Sequence, residues 1–499
     1  MTLSRTGPAT APAGGPDDRL SREILVLSAV VALGTIMTVL DLTIVNVAIP
    51  TLVADLHATI DSVQWVLTGY MLAFATVIPL TGWASGRFGA KRVWLTALGL
   101  FLAGSVLAAA AWSIGSLIAF RVLQGLGAGL ILPVGQTILA QAAGPQRMGR
   151  VMSVIGVPLL LAPVFGPVLG GAILGAASWR WIFLLNLPIG AAAIVAGWRF
   201  LPAARPRPGQ PPAQRLDVRG LVLLCPGIAV LLWGLSEAGA RGGFGGLGPA
   251  VATLAGLALI GLYIWHAVVA GPAALVDLSL LRRRGFATAA AMNFLLPVAL
   301  FGSLILIPLY YQVIRHAGPA QIGLLLAPQG VGAALTLPVA GLLTDKIGAR
   351  VVCSAGLLLA LLGTLGYTQL GAHTSEAYLA AALFVTGAGI GSTISPSMAA
   401  AFGSVAPAEM PRATTALNTV QRIAGAFGTA LFAILLQHAI TASQAQHPGS
   451  VPAVASAFGS TFWVAVALIA ATLVPALLLP RPAPAGQAVP TCRSRRATP

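Results

Sequence analysis

Charge is what this chain has least of. Of its 499 residues only 8% are charged, and just 12 are acidic. Soluble domains carry about a quarter charged residues, so a soluble enzyme or binding domain is excluded. Lysine is nearly absent: Lys91 and Lys346 are the only two. Neither closes a Gly-x-x-x-x-Gly-Lys loop, which removes an ATP-driven pump. The three cysteines, Cys225, Cys353 and Cys492, are isolated, without CxxC or other metal-ligand spacing. The six histidines form no HxxxH or HExxH pattern, so no metal site is expected. No long polar loop leaves room for a catalytic domain beside the apolar segments, and no enzyme is expected.

What the chain has is apolar length. Hydrophobic residues make up 57%, and the mean hydropathy is +0.90. A membrane-crossing helix takes about 20 apolar residues, so there is material for about fourteen. The runs are continuous rather than alternating, which excludes a transmembrane barrel. The predicted spans are 24–52, 63–85, 93–112, 114–141, 151–175, 181–202, 218–237, 249–270, 286–313, 320–343, 351–371, 377–402, 413–437 and 456–479. The first is too long for a signal-peptide core and is expected to stay.

The net charge of +16 could mark a nucleic-acid binder, but its placement gives another reading. With a cytoplasmic N-terminus, nearly every basic residue falls inside. Only Arg180, Arg241 and Arg315 fall outside, while Arg121 and Arg422 lie within spans. The bias predicts both termini in the cytoplasm, with anionic lipid rather than nucleic acid as the basic partner.

The chain also repeats itself. Gly82-Trp-Ala-Ser-Gly-Arg-Phe-Gly-Ala-Lys-Arg92 returns 259 positions later as Gly341-Leu-Leu-Thr-Asp-Lys-Ile-Gly-Ala-Arg350. The triplet Gly125-x-Gly127-x-Gly129 returns 262 positions later as Gly387-x-Gly389-x-Gly391. Parallel repeats with a site between them are a transporter architecture. The expected fold is an all-α membrane protein of two six-helix bundles plus two extra helices. Its parts are a cytoplasmic tail over 1–22, an N-terminal bundle over 23–202, a linker with helices 7 and 8 over 203–285, a C-terminal bundle over 286–480 and a second tail over 481–499. Pro158, Pro163 and Pro167 are expected to kink helix 5.

One acid lies deep. Asp41 falls near the middle of a long stretch free of other charge, and intramembrane charges by default mark ion or substrate pathways. Asp41 is therefore a candidate proton carrier, with a structural hydrogen bond as the alternative. Arg121, at a similar depth, is its candidate partner, or else bonds backbone carbonyls. Arg422 reads as a side chain reaching for the cytoplasmic interface. Candidates for a substrate cavity are Asn46, Gln64, Trp65, Tyr70, Gln124, Asn293, Tyr310, Tyr311 and Gln329, amides and aromatics suited to amphiphilic ligands.

Five motifs in order resemble one family. Asp41-Leu-Thr-Ile-Val-Asn-Val-Ala-Ile-Pro50, Gly82 to Arg92, Arg121-Val-Leu-Gln-Gly125-Leu-Gly-Ala-Gly129, Gly156 with Gly166-Pro167-Val-Leu-Gly170-Gly171, and Trp179-Arg180-Trp181-Ile-Phe183 with Asn186-Leu-Pro188-Ile-Gly190 are similar to those of the major facilitator superfamily, in particular its 14-helix drug:proton antiporters. The resemblance implies gating roles for Gly82, Gly86, Arg87, Gly89 and Arg92, for Gly166, Pro167, Gly170 and Gly171, and for Asp345 and Arg350. It also implies that helices 1 and 4 are neighbours. One departure stands out: Gly86 replaces an aspartate that in the family helps lock the cytoplasmic face. The expected function is export of small amphiphilic or cationic drugs by alternating access, in exchange for protons. A monomer in the cell membrane, driven by the proton gradient and needing no cofactor, would do this. A proton-coupled importer of a small metabolite is the alternative, and an integral-membrane enzyme the more distant one.

Overall fold

The structure, a computed structural model, describes residues 21–144, 147–202 and 215–479. Both predicted tails, most of the Pro/Arg-rich linker, and the side chains of 157–164 and 167 lie outside the described residues. All regular structure among the described residues is helical, as hydrocarbon demands of a backbone that must satisfy itself.

The N-terminal part comprises α1 (Arg22–Asp55), α2 (Ile60–Val77), α3 (Leu80–Phe88), α4 (Ala90–Ala109), α5 (Ile114–Ala143), α6 (Met148–Ala176), α7 (Arg180–Leu184) and α8 (Asn186–Phe200). Then come α9 (Val218–Ala240) and α10 (Leu247–Ala270). The C-terminal part comprises α11 (Arg284–Val313), α12 (Pro319–Ile347), α13 (Ala349–Tyr367), α14 (Glu376–Gly403), α15 (Met410–Gln446) and α16 (Val451–Leu477). Each predicted span falls on this helical framework, but two are not single helices. The span 63–85 breaks between α2 and α3 with a 57° bend, because Pro79 cannot donate a backbone bond there. The span 181–202 breaks at Leu185, where Pro188 likewise has no N–H for the carbonyl of Leu184. Helix α6 runs unbroken, and the proline side chains expected to kink it lie outside the described residues.

Polar side chains set the ends. Ser113 and Ser116 cap α5 reciprocally: Ser113 Oγ accepts from Ser116 N at 3.2 Å and Ser116 Oγ accepts from Ser113 N at 3.1 Å. Gly89 (φ 85°) and Gly348 (φ 87°) take left-handed conformations between α3 and α4 and between α12 and α13, where a side chain would be strained. These two glycines are 259 positions apart, so the repeat extends to the turn itself. Lys91 Nζ donates to Trp198 O and Leu201 O, both at 2.7 Å, fastening the start of α4 to the end of α8.

The two parts pack alike. In the first, α5 lies between α2 and α4, and α1 lies against α6 and α8. In the second, α14 lies between α12 and α13, and α11 lies against α15 and α16. The glycine triplets make this possible. A Cβ at Gly127 would stand 2.6 Å from Phe101 N, and Gly125 and Gly129 back onto the carbonyls of Tyr70 and Phe74. In the second part Gly389 backs onto Ala360, and Gly387 and Gly391 onto the carbonyls of Gln329 and Ala333. Each partner is also shifted by 259, so contacts recur pair for pair. Helix α9 lies between α2 and α15, and α10 packs outside α9 with Leu254, Leu257 and Val268 more than half exposed. Asp217 anchors this insertion, accepting from Gly220 N at 2.8 Å and Leu275 N at 3.1 Å and lying 2.9 Å from His266 Nε2.

Backbone-to-backbone seats cannot yield to added volume. Gly387→Val is expected to destabilise the protein by about 2 kcal/mol or more. Gly99→Ala, where nothing lies within 4 Å, should be neutral or stabilise by up to about 1 kcal/mol. Thermal unfolding of the two purified variants in detergent checks both; equal midpoints would contradict the packing argument.

Candidate functional site

Asp41 and Arg121 meet in the core of the first bundle. Arg121 Nη1 donates to Asp41 Oδ2 at 2.5 Å, and both side chains have no exposed surface. Asp41 Oδ1 accepts from Gln124 Nε2 at 2.9 Å and from Asn186 Nδ2 at 2.7 Å. The same two amides lie against Ser105 Oγ at 2.7 and 2.9 Å. Arg121 also donates to Gln124 Oε1 at 2.6 Å and through Nε to Val66 O at 3.3 Å. Its Cζ sits 4.1 Å from the Tyr70 ring centre, a cation–π contact of the desolvated, stronger kind. The Tyr70 hydroxyl turns away and donates to Thr38 O at 3.4 Å. Arg121 Nη2 is buried with no hydrogen-bond partner in the protein.

Local structure explains the convergence. Arg121 and Gln124 are three apart on α5 and share a face. Ser105 comes from α4 and Tyr70 from α2. Asn186 opens α8, and its amide reaches Asp41. Chemically, the carboxylate accepts from one charged and two neutral donors. Protonating Asp41 breaks its tie to Arg121 and leaves a buried cation without a counter-ion, which the bundle must then relieve.

A second cluster lies where the two bundles meet, at the helix ends that carry Arg87, Lys91, Arg92, Arg150, Lys346, Arg350 and Arg412. Arg150 of α6 pairs with Asp345 of α12 at 2.6 Å. Ser153 Oγ donates to Leu337 O at 2.8 Å, and Ser395 Oγ to Gly149 O at 2.5 Å. On the other flank Thr81 and Thr415 hydroxyls meet at 2.7 Å, and Asn418 Nδ2 donates to Gln136 Oε1 at 2.8 Å. Gly82 lies under α15, where a Cβ would be 2.9 Å from Thr415 Oγ1. Beside this seam Arg412 reaches Asp277 at 3.4 Å. Arg283 clamps Glu409 with two bonds of 2.6 and 2.7 Å. Its guanidinium holds the Glu409 carboxyl below the ordinary carboxylate value, so this clamp stays ionised at neutral pH.

The profile of the Major Facilitator Superfamily matches residues 31–312 and 289–495. The chain belongs to the major facilitator superfamily. It is 38% identical, over 95% of its own length and 94% of the relative's, to a multidrug resistance protein B homolog of Mycobacterium tuberculosis. It is 34% identical to the methylenomycin A resistance protein of Streptomyces coelicolor, over 87% and 90%. It is 32% identical to the multidrug export protein EmrB of Haemophilus influenzae, over 82% and 79%. In fold it is similar to the crystal structure of human MFSD10, an organic anion transporter, with a TM-score of 0.62 and 18% identity, covering 90% of this chain and 100% of that one. It is also similar to the proton:xylose symporter XylE, with a TM-score of 0.58 and 14% identity, over 91% and 96%.

Within this superfamily fold the remaining residues singled out from sequence scatter. Asn46 is exposed and bonds the carbonyl of Leu42 on its own helix. Gln64 and Trp65 are exposed at the start of α2, and Gln329 is half-buried. Asn293 is buried and donates to Ala289 O at 2.9 Å. Tyr310 and Tyr311 lie inside the second bundle against Phe458 and Tyr367, with Tyr310 Oη donating to Gly371 O at 2.7 Å. Gly166 and Gly170 seat α6 against Thr43 and Ile44 of α1, whereas Gly171 and Gly86 have nothing within 4 Å; the side chain of Pro167 lies outside the described residues. Arg87 and Arg92 are exposed, and Arg350 is half-buried. Arg422 does not reach for the surface: its Cζ lies 4.4 Å from the Phe74 ring centre on α2. Sequence reasoning passed over Asn186 and Ser105 as site residues. An amide standing in the apolar run 181–202 was the available signal for the first.

Removing one half of the Asp41–Arg121 pair strands the other. Asp41→Leu and Arg121→Met are each expected to cost about 3–5 kcal/mol, and the double variant less than either alone. A double-mutant cycle by thermal unfolding checks this, and additive losses would contradict it.

Proposed function

We propose that this protein is a proton-driven exporter of small amphiphilic compounds, with a single proton site at Asp41 and Arg121. The observation that carries the reading is the buried pair itself: Asp41 is the one acid in the middle of a span, and its counter-ion sits on a different helix. Protonation cancels the ion pair, and deprotonation restores it. Proton binding therefore trades a rigid arrangement of α1, α5 and α8 for a looser one. The names of the relatives, multidrug and methylenomycin resistance proteins among them, support drugs or antibiotics as the cargo and export as the direction.

Where the halves touch supports alternating access. The contacts between bundles described above gather at the basic ends of α3, α5 and α6 with α12, α14 and α15. The positive-inside bias makes that end cytoplasmic and puts both termini there, in the cell membrane. The shape is then the outward-facing one, with the inner gate shut. Helix α6 would serve as the rocker, seated on α1 by Gly166 and Gly170 and on α12 by Gly149 and Gly156. Gly86 leaves Arg412 to Asp277, so among the described residues that flank of the gate shows no ionic tie between halves.

Two measurements test this. Efflux of a fluorescent amphiphile from cells should collapse with an uncoupler and with Asp41→Asn; efflux surviving both would sink the reading. Gly86→Asp fits without a clash and offers Arg412 a carboxylate from the opposite half. It should slow transport at saturating substrate roughly two- to fivefold, the scale of a partly exposed ion pair. Asp345→Asn should act in the opposite direction.

A further inference from the structure

We propose that Arg422 is the substrate-binding cation of the cleft and that it selects amphiphiles bearing an anionic group, a carboxylate, phenolate or sulfonate. The inference rests on the exporter reading and deepens it by naming the substrate class.

Three deep charges lie in the middle of the spans. Asp41 and Arg121 neutralise each other, so Arg422 leaves the interior with one uncompensated positive charge. Among the described residues Arg422 has no acid within ion-pairing distance and no hydrogen-bond acceptor; its one contact of this kind is the Phe74 face at 4.4 Å. A fully buried guanidinium in that condition would be costly, yet this one is half-buried rather than sealed. Its position explains why. On α15 the residues turned to the first bundle recur as Thr415, Asn418 and Arg422, a helical stripe. The first two close the seam through Thr81 and Gln136. Arg422 comes one turn beyond the last of these, about 10 Å from Thr415 along the helix, and so stands on the floor of the cleft above the shut gate. Helix α9, packed on both α2 and α15, covers the flank. In this reading the remaining exposure opens to the space between the halves.

Chemistry then names the ligand. A guanidinium with its donors free presents a planar fork that matches carboxylates and sulfonates, and an anion there gains charge-assisted bonds in a poorly hydrated place. A cationic drug would meet a net positive cleft, because the lone deep carboxylate is already taken. Phe74 offers an aromatic face for the apolar part of the ligand. It also links the two charged sites: Phe74 and Tyr70 rings are 6.2 Å apart, and Tyr70 carries Arg121.

The test uses the full-length protein in lipid nanodiscs and two fluorescent probes of one skeleton: anilinonaphthalene sulfonate, an anion, and phenylnaphthylamine, its neutral counterpart. Binding is read above the signal of empty nanodiscs. Wild type should prefer the sulfonate. Arg422→Gln should weaken the sulfonate at least about tenfold and change the neutral probe little, while Arg422→Lys should retain most sulfonate binding. An unchanged sulfonate affinity in Arg422→Gln would overturn the proposal, as would equal losses for both probes. Should that variant fail to fold, a wild type that binds the neutral probe more tightly overturns it equally. An uncoupler separates the two readings: it should abolish efflux from cells, whereas sulfonate binding by the wild-type protein in nanodiscs, where no proton gradient exists, should remain. Binding without any proton-driven efflux in wild type would reject the exporter and keep the anion site.

Discussion

Everything in the first bundle answers to one constraint: a carboxylate and a guanidinium held where water does not reach. Hydrocarbon and packed helices offer no solvation, so each lone pair on Asp41 must find a donor within the protein. Arg121, Gln124 and Asn186 supply three, and Ser105 receives the amide hydrogens left over. Asn186 comes from the sixth span, at the start of α8, where Pro188 leaves the carbonyl of Leu184 without its helical N–H donor. To bring Arg121 in, α5 must come close to α2, and the triplet of glycines lets it. The helix positions are thus the geometry needed to satisfy one buried pair.

The second bundle repeats the scaffold without the charge. Positions 262 after Arg121 and Gln124 are Leu383 and Thr386, both buried. Tyr70 has its counterpart in Gln329, backed by Gly387 as Tyr70 is by Gly125. One half therefore holds the buried ion pair, and the other carries uncharged residues at the matching positions, together with Arg422. The buried pair of one half and Arg422 of the other meet across Phe74.

Spans, repeat and close glycine seats were all legible in the sequence, because each follows from local pattern: apolar length, motif offset, small residues at helical spacing. The partners of Asp41 were half legible. Arg121 announces itself by charge, but Asn186 is one amide in an apolar run, and its role depends on the break before it. Arg422 shows the limit most clearly. Two turns into a helix, a basic side chain can extend to the interface or into the cleft, and only the rotation of α15 against α2 decides. These helices are apolar on nearly every side, so periodicity gives no such rotation. Tyr310 and Tyr311 illustrate the same ambiguity, since aromatics suit a cavity and a helix–helix core equally.

The gate shows what duplication followed by divergence does to energetics. Arg150 and Arg412 are 262 positions apart and stand at equivalent helix starts. Arg150 bonds Asp345 across the seam, so opening the basic end must break that pair. Arg412 bonds Asp277, in the segment joining the extra helices to the second bundle. Asp277 is held there by Ser279, whose N and Oγ donate to Oδ1 at 3.0 and 2.5 Å. In the alternating access proposed above, opening would break the Arg150–Asp345 pair, while the flank at Thr81 and Gly82 meets α15 through hydroxyls and a glycine surface. With Gly86 in place of an acid, the partner of Arg412 comes from the segment before the second bundle, so under the proposed alternating access that charge would keep its partner when the halves separate.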